Sequence, residues 1–345
     1  MAASLAASAW TGEGVRIADV ALRLRELRAT GGESLHSTLT SVMNLVVYAP
    51  STEAAVEIED VTDALSDHHP SRAVIVIPAE GGDRIDARVE VMSHSDRPTG
   101  LNLQVEQIVL TLRGAVAAHA GSAVIPLLRS ELPTFLWWPA APDPTSATFT
   151  ELVRIADRLV TEVGRELRGT AALERIDLVA GRSGPPVTDL AWAVITPWRQ
   201  LVAMSLRGQS LLSLRVASAA ATITCRRGET PLEALLFAGW LVDVLGEQLE
   251  PRFAEAEGDE EILGLELSAD GACVLELTRE HGPGTVTLRT ATGVSRSLPL
   301  PPPNRRELLA GELELRGRDQ PFERAIAHAR KFATGAPGGS RRRDP

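Results

Sequence analysis

Residues 39–49 (LTSVMNLVVYA) and 73–77 (AVIVI) are runs dominated by apolar and β-branched side chains, without regular polar alternation. Strands of this kind are buried on both faces, so they belong in the interior of a sheet covered by helices. Between them Ala54, Ala55, Ile58, Val61, Thr62 and Leu65 recur at helical spacing, with Pro50 closing the first strand and Ser51 placed to cap the helix. Strand, helix and strand in that order need a crossover and hence a parallel pair. This βαβ unit commits the N-terminal half to an α/β fold.

Ahead of it, Ile17, Val20, Leu24 and Leu27 line one face of a helix over 16–29 that Gly31-Gly32 stops. After it the period changes to two: Ile85, Ala87, Val89 and Val91 alternate with Asp86, Arg88, Glu90 and Met92. Over 103–113 the apolar parity switches between Val105 and Ile108, which predicts a bulge near Glu106-Gln107 with Glu106 turned inward. A buried carboxylate needs a partner. A helix is expected over 115–128, a strand over 132–139 (LPTFLWWP), and a helix passing into a strand over 149–163.

The second half opens with a helix over 173–179, a Gly/Pro linker (181–187) and Asp189 as an N-cap, and Pro197 predicts a break in the helix that follows. Strands are expected at 211–224, 262–267, 273–278 and 285–288, interrupted by one long apolar helix at 232–249. Leu263, Leu265 and Leu267, then Cys273, Leu275 and Leu277, then Val286 and Leu288 hold period two, the pattern of an antiparallel meander with one helix-covered face. Two helices, 304–315 and 321–332, follow. The expected organisation is an N-terminal helical segment (1–34), a mixed α/β domain (35–166), an α+β domain (167–334) and a disordered tail (335–345).

A formal charge of −10 gives no electrostatic footprint for nucleic acid, and the basic run Arg341 to Arg343 reads as a solvated end. Two cysteines exclude a disulfide scaffold. The start lacks a positively charged leader, and the longest uncharged stretch, 114–128, is too short to span a bilayer. The expectation is a soluble cytoplasmic protein with no membrane partner.

Motifs for chemistry are scarce. Gly12-Glu13-Gly14 lacks the third glycine and the preceding strand of a dinucleotide site, and there is no GxxxxGK or GxSxG. No His or Cys pair has metal-ligand spacing, so neither a metal nor a cofactor is expected. His68 and His69 precede Arg72 in HHPSR, a loop that could satisfy its own backbone, contact a phosphate through Arg72, or supply an acid or base. Aromatics are few, yet six are Trp. Trp138 and Trp198 stand beside proline, with Trp137 and Arg199 next to them, the setting of core packing or of a contact surface.

These segments resemble the glucose-6-phosphate dehydrogenase assembly protein family, OpcA. The resemblance is carried by NLVVYA (44–49), HPSRAVIV (69–76), EQIVLTLRG (106–114), PLL…LPTFLWWP (126–139), ADRLV (156–160), DLAWAVITPWRQL (189–201), LLFAGWL (235–241) and SLPLPPP (297–303). It implies a non-enzymatic partner that promotes oligomerisation or activity of the NADP-dependent dehydrogenase, with no catalytic residues to carry over. Candidate interface residues are Trp137, Trp138, Trp198, Arg199 and Arg72. The competing reading is a sugar-phosphate-binding module or hydrolase using His68, His69 and Arg72. Cyanobacterial members are associated with thioredoxin-type control through cysteines; here Cys273 has core-facing parity, which argues against a redox switch.

Overall fold

The computed structural model describes residues 4–30, 41–65, 69–95, 102–181, 184–206, 214, 218–280, 284–315 and 317–333. Gly31-Gly32, His68, the start of the expected 211–224 strand and the whole of the expected tail, Arg341 to Arg343 included, lie outside them. The chain forms two compact units, one of residues 1–162, 182–187 and 305–318, the other of 163–181, 188–304 and 319–345.

The first unit holds β1 (Ser4–Gly12), α1 (Ile17–Thr30), β2 (Met43–Tyr48), α2 (Thr52–Leu65), β3 (Ser71–Ala79), β4 (Arg84–Ser95), β5 (Asn102–Arg113), α3 (Ala120–Val124), β6 (Thr134–Trp138), α4 (Ala147–Val153) and β7 (Arg158–Thr161). The chain leaves this unit within β8 (Val187–Asp189). The sheet order is β1-β4-β5-β3-β2-β6-β7-β8, and β5, β3, β2, β6 and β7 run parallel. The βαβ unit is present as read: β2 and β3 are parallel neighbours joined by α2, with Leu45, Val46, Val47, Val74, Ile75 and Val76 buried.

Three details differ from the sequence expectation. Residues 4–12 form a strand ahead of the first helix, antiparallel to β4; their small Ser and Ala side chains carry little period-two signal. The region 114–127 is not one helix but α3 between the 3₁₀ turns Gly114–His119 and Ile125–Leu127. Gly114 starts it at φ +60, where a Cβ would lie 2.3 Å from an Asp83 carboxylate oxygen and 2.7 Å from the Gly81 carbonyl. The bulge at Glu106-Gln107 is absent, since β4 and β5 pair without a shift from Ser95–Asn102 to Arg84–Arg113. Parity switches there because residues 105–110 are buried on both faces. Glu106 does point inward.

The second unit contains α5 (Gly169–Ala180), α6 (Leu190–Val194), α7 (Thr196–Ser205), β9 (Ala219–Arg226), α8 (Leu232–Leu245) and β10 to β14 (Glu250–Ala256, Ile262–Ala269, Ala272–Arg279, Thr285–Thr290, Ser295–Pro299). The chain then contributes α9 (Arg305–Glu314) to the first unit and α10 (Gln320–Ala333) to the second. Asp189 caps α6, accepting from the Ala191 N–H at 2.9 Å, and the break predicted by Pro197 falls between α6 and α7. The sheet order is β10-β9-β11-β12-β13-β14, an antiparallel meander from β11 onward with β10 parallel to β9.

Cys273 corrects the parity reading. The β11–β12 register shifts between Leu267 and Ser268, and Cys273, just past the shift, is exposed while Leu275 and Leu277 are buried. Cys225 is buried on β9, two strands away, opposite Ile262 of β11, whereas Cys273 is opposite Ser268. Six residues of strand put the two sulfurs on the order of 20 Å apart, far beyond disulfide reach. Burial also pushes the Cys225 thiol up to about 12, so it is no ready nucleophile.

Candidate functional site

Glu106 has no solvent exposure, so its charge has to be matched inside the protein. The parallel register sets Arg72 of β3 beside it; Arg72 Nε donates to Oε2 at 2.5 Å, and its Nη1 donates to the Leu127 carbonyl at 2.7 Å. Arg129 Nη2 donates to Oε1 at 3.2 Å. Arg28, in the last turn of α1, brings its Nε to 2.9 Å from the same oxygen with the N–H out of line for a hydrogen bond. Three guanidiniums therefore meet one carboxylate. Burial lowers the Arg28 pKa, Glu106 opposes that shift, and Arg129 and Arg72 add to it.

Asn44 fixes this arrangement from β2. Its Nδ2 donates to the carbonyls of Arg129 (2.9 Å) and Leu132 (3.2 Å), and its Oδ1 accepts from the Arg129 backbone N–H at 2.9 Å. The loop carrying Arg129 is thus bonded to the amino end of the sheet's central strand. A polar Asn inside an apolar run was the sequence signal for this role; Arg28 and Arg129 carried none.

The carboxyl ends of the parallel strands are built differently. In α/β sheets ligands bind where strand order reverses, here between β2 and β6. Tyr48 and Trp138 end those strands and stack with ring centroids 3.7 Å apart, and Phe149 meets Trp138 edge-on at 5.0 Å. The turn after β2 is Ala49-Pro50-Ser51, with no glycine to admit a pyrophosphate to the backbone. Aromatic rings therefore pack at the strand reversal. Beside them Trp137 Nε1 donates to Glu162 Oε1 at 2.8 Å, and Arg305 Nε reaches both Glu162 oxygens at 3.1 Å. Arg305 also pairs with Glu57 and lies over the Trp137 ring, 4.9 Å from its centroid.

In the second unit Arg199 lies 3.5 Å from the Trp192 ring centroid and donates to Thr196 Oγ1 at 2.7 Å. Trp198 packs tilted against Phe237 at 6.4 Å. A cavity of about 650 Å³ is lined by residues of β9, β11 and β12, with Thr222, Thr224 and Thr278 among carboxylates that include Glu257, Asp259 and Glu266. Among the described residues no group of three or more His, Cys, Asp or Glu is arranged to hold a metal, and no helix is long and apolar enough to cross a membrane.

Glu233, in the first turn of α8, carries a separate consequence. Burial pushes its carboxyl up to about 7; Glu261 and Asp189 add to the shift, while a backbone N–H and Arg168 oppose it. Arg168 is committed to Glu261, donating at 2.5 and 2.8 Å. A carboxyl whose folded pKa lies above its unfolded value costs nothing at pH below the unfolded value of about 4.5. The cost grows as pH rises and is complete above about 7. Glu233→Gln is therefore expected to stabilise the protein at pH 8 by on the order of 1–3 kcal/mol and to flatten the melting temperature between pH 4.5 and 7. Parallel wild-type and variant pH profiles would disprove this.

The residues expected at an interface fall in different settings. Trp137, Trp138 and Arg72 belong to the first unit and Trp198 to the second, and all four are buried, at 0%, 3%, 6% and 2% exposure. Arg199 is half-buried, in a helix and not in a turn. Of the described residues of HHPSR, Arg72 lies in β3 and turns to Glu106, while His69 Nε2 lies 4.0 Å from Glu314.

Two family models match in succession. Residues 62–177 match a glucose-6-phosphate dehydrogenase subunit N-terminal domain and residues 185–326 the corresponding C-terminal domain. Together they take in well over half of the chain. The protein belongs to the OpcA family. Curated relatives include the "putative OxPP cycle protein OpcA" of Nostoc punctiforme, 27% identical over 59% of this chain and 43% of that protein. Its namesake in Synechococcus elongatus is 27% identical over 58% of this chain and 44% of that protein. The match thus spans less than half the length of these relatives. The transcriptional regulator Gal80p of Kluyveromyces lactis superposes with a TM-score of 0.44 at 9% identity, covering 87% of this chain and 93% of that one. Four of the stretches that resemble OpcA meet at the cluster: NLVVYA supplies Asn44, HPSRAVIV Arg72, EQIVLTLRG Glu106, and PLL…LPTFLWWP Arg129.

Proposed function

We propose that this protein is a non-catalytic partner of glucose-6-phosphate dehydrogenase, the entry enzyme of the oxidative pentose phosphate pathway. It binds the dehydrogenase in the cytoplasm and promotes its oligomerisation or activity. The observation that carries this reading is the pair of consecutive matches to the two domains of a glucose-6-phosphate dehydrogenase subunit. The aromatic packing at the strand reversal agrees with a fold of nucleotide-binding type turned to another use. To activate, the protein has to bind one state of the enzyme better than another, because equal affinity shifts nothing.

Within this proposal Trp137, Trp138, Trp198 and Arg72 act from beneath the contact surface by fixing the backbone that forms it, and Arg199 is the member that reaches the surface. The test is NADP reduction by the cognate dehydrogenase, with and without this protein, together with the size of the mixed species by light scattering. A higher rate or a larger species is expected. Arg199→Ala is expected to weaken co-purification by about tenfold or more, within the range of an interface hot spot. A dehydrogenase unchanged in both rate and size would overturn the reading.

A further inference from the structure

We propose that the cluster of Arg28, Arg72, Arg129 and Glu106 is a binding site for a phosphate monoester or free phosphate. Three guanidiniums and one carboxylate leave a surplus of two positive charges, the charge a phosphate monoester dianion neutralises. Glu131, which acts on Arg28 electrostatically, is exposed and does not enter the buried cluster.

The unmade hydrogen bonds point the same way. Arg28 Nε and Arg129 Nε are buried and complete no hydrogen bond among the described residues, although Arg28 Nε is ion-paired with Glu106 at 2.9 Å. Buried donors of charged groups are expensive to leave unpaired, and two of them belong to this one cluster. Access is graded: side-chain exposure is 26% for Arg28, 12% for Arg129 and 7% for Arg72. Arg28 is thus the member most open to solvent and Arg72 the most deeply buried. Guanidinium forks match phosphate oxygens in geometry. Glu106 already occupies one side of the cluster, holding Arg72 and Arg129 so that the ligand meets preformed donors. Asn44 fixes the Arg129 backbone in the same sense. This inference is independent of the dehydrogenase reading, since it concerns binding by the isolated chain.

The test is thermal unfolding and calorimetric titration of the full chain with inorganic phosphate, then methyl phosphate, against chloride and citrate at matched ionic strength. A saturable calorimetric isotherm is expected, with a rise in melting temperature of about 5 °C or more once phosphate exceeds its dissociation constant a hundredfold. Arg28→Gln, at the outer end and so compatible with folding, and Arg129→Gln are each expected to weaken phosphate binding by about tenfold or more. Arg113→Gln, remote from the cluster and paired with Asp86, is expected to leave binding unchanged. Three outcomes would overturn the proposal: no saturable response to phosphate, saturation by citrate alone, or equal binding by wild type and Arg28→Gln.

Discussion

Glu106→Gln is expected to lower the stability of the first unit by about 3–5 kcal/mol, the cost of removing one partner from a buried ionic cluster. The substitution keeps the size of the side chain and one carbonyl oxygen, so packing on β5 changes little. What it removes is the negative charge that lets Arg28, Arg72 and Arg129 approach one point. Without it three guanidiniums repel one another where water screens them poorly. The measurement is thermal or urea unfolding followed at several probes, because two units need not unfold together. A loss under about 1 kcal/mol would mean the carboxylate is not the hub of the cluster. Adding Arg72→Gln to the variant separates charge from packing. If repulsion dominates, the second substitution returns part of the lost stability; if lost contacts dominate, it adds to the loss.

The same residues show where the sequence was legible. Buried parallel strands announce themselves through unbroken runs of Leu, Val and Ile, so β2, α2 and β3 could be read directly. The inward turn of Glu106 was readable too, because a charge inside an apolar strand has nowhere else to be explained. Its mechanism was not: a parity switch looks alike whether it comes from a bulge or from a strand covered on both faces. Only neighbours in space tell these apart. The partners of Glu106 come from β3, from the last turn of α1 and from a loop before β6, positions that no local period connects. Tryptophan was ambiguous. A tryptophan next to proline suits a docking surface as well as a core, and here Trp137, Trp138 and Trp198 are all inside. Cys273 shows the limit of parity counting, since a single register shift inverts every inference drawn beyond it.

Gly239→Ala is expected to destabilise the second unit by about 2–3 kcal/mol, against the usual direction of that substitution in a helix. In an open helix, alanine for glycine gains about 1 kcal/mol through backbone entropy and solvation. Position 239 lies in α8 where α10 crosses it. A Cβ there would sit 2.0 Å from the Ala325 carbonyl oxygen, 2.9 Å from its carbon and 3.1 Å from the Ala329 nitrogen. All three are backbone atoms, so no side chain can rotate away, and α10 itself has to move. Its buried stripe of Phe322, Ala325, Ile326 and Ala329 would lift with it. The ion pairs joining the helices outside, Arg324 with Asp243 and Lys331 with Glu247, are exposed on one or both sides and too weak to hold them. Two controls make the cause visible. Ala325→Gly is expected not to rescue the variant, because the clash is with its carbonyl and not its methyl group. Gly311→Ala, in α9 with nothing within 4 Å of the new Cβ, is expected to stabilise by up to about 1 kcal/mol. Equal melting temperatures for Gly239→Ala and wild type would show that the helices cross with room to spare, and the glycine of LLFAGWL would then need another reason.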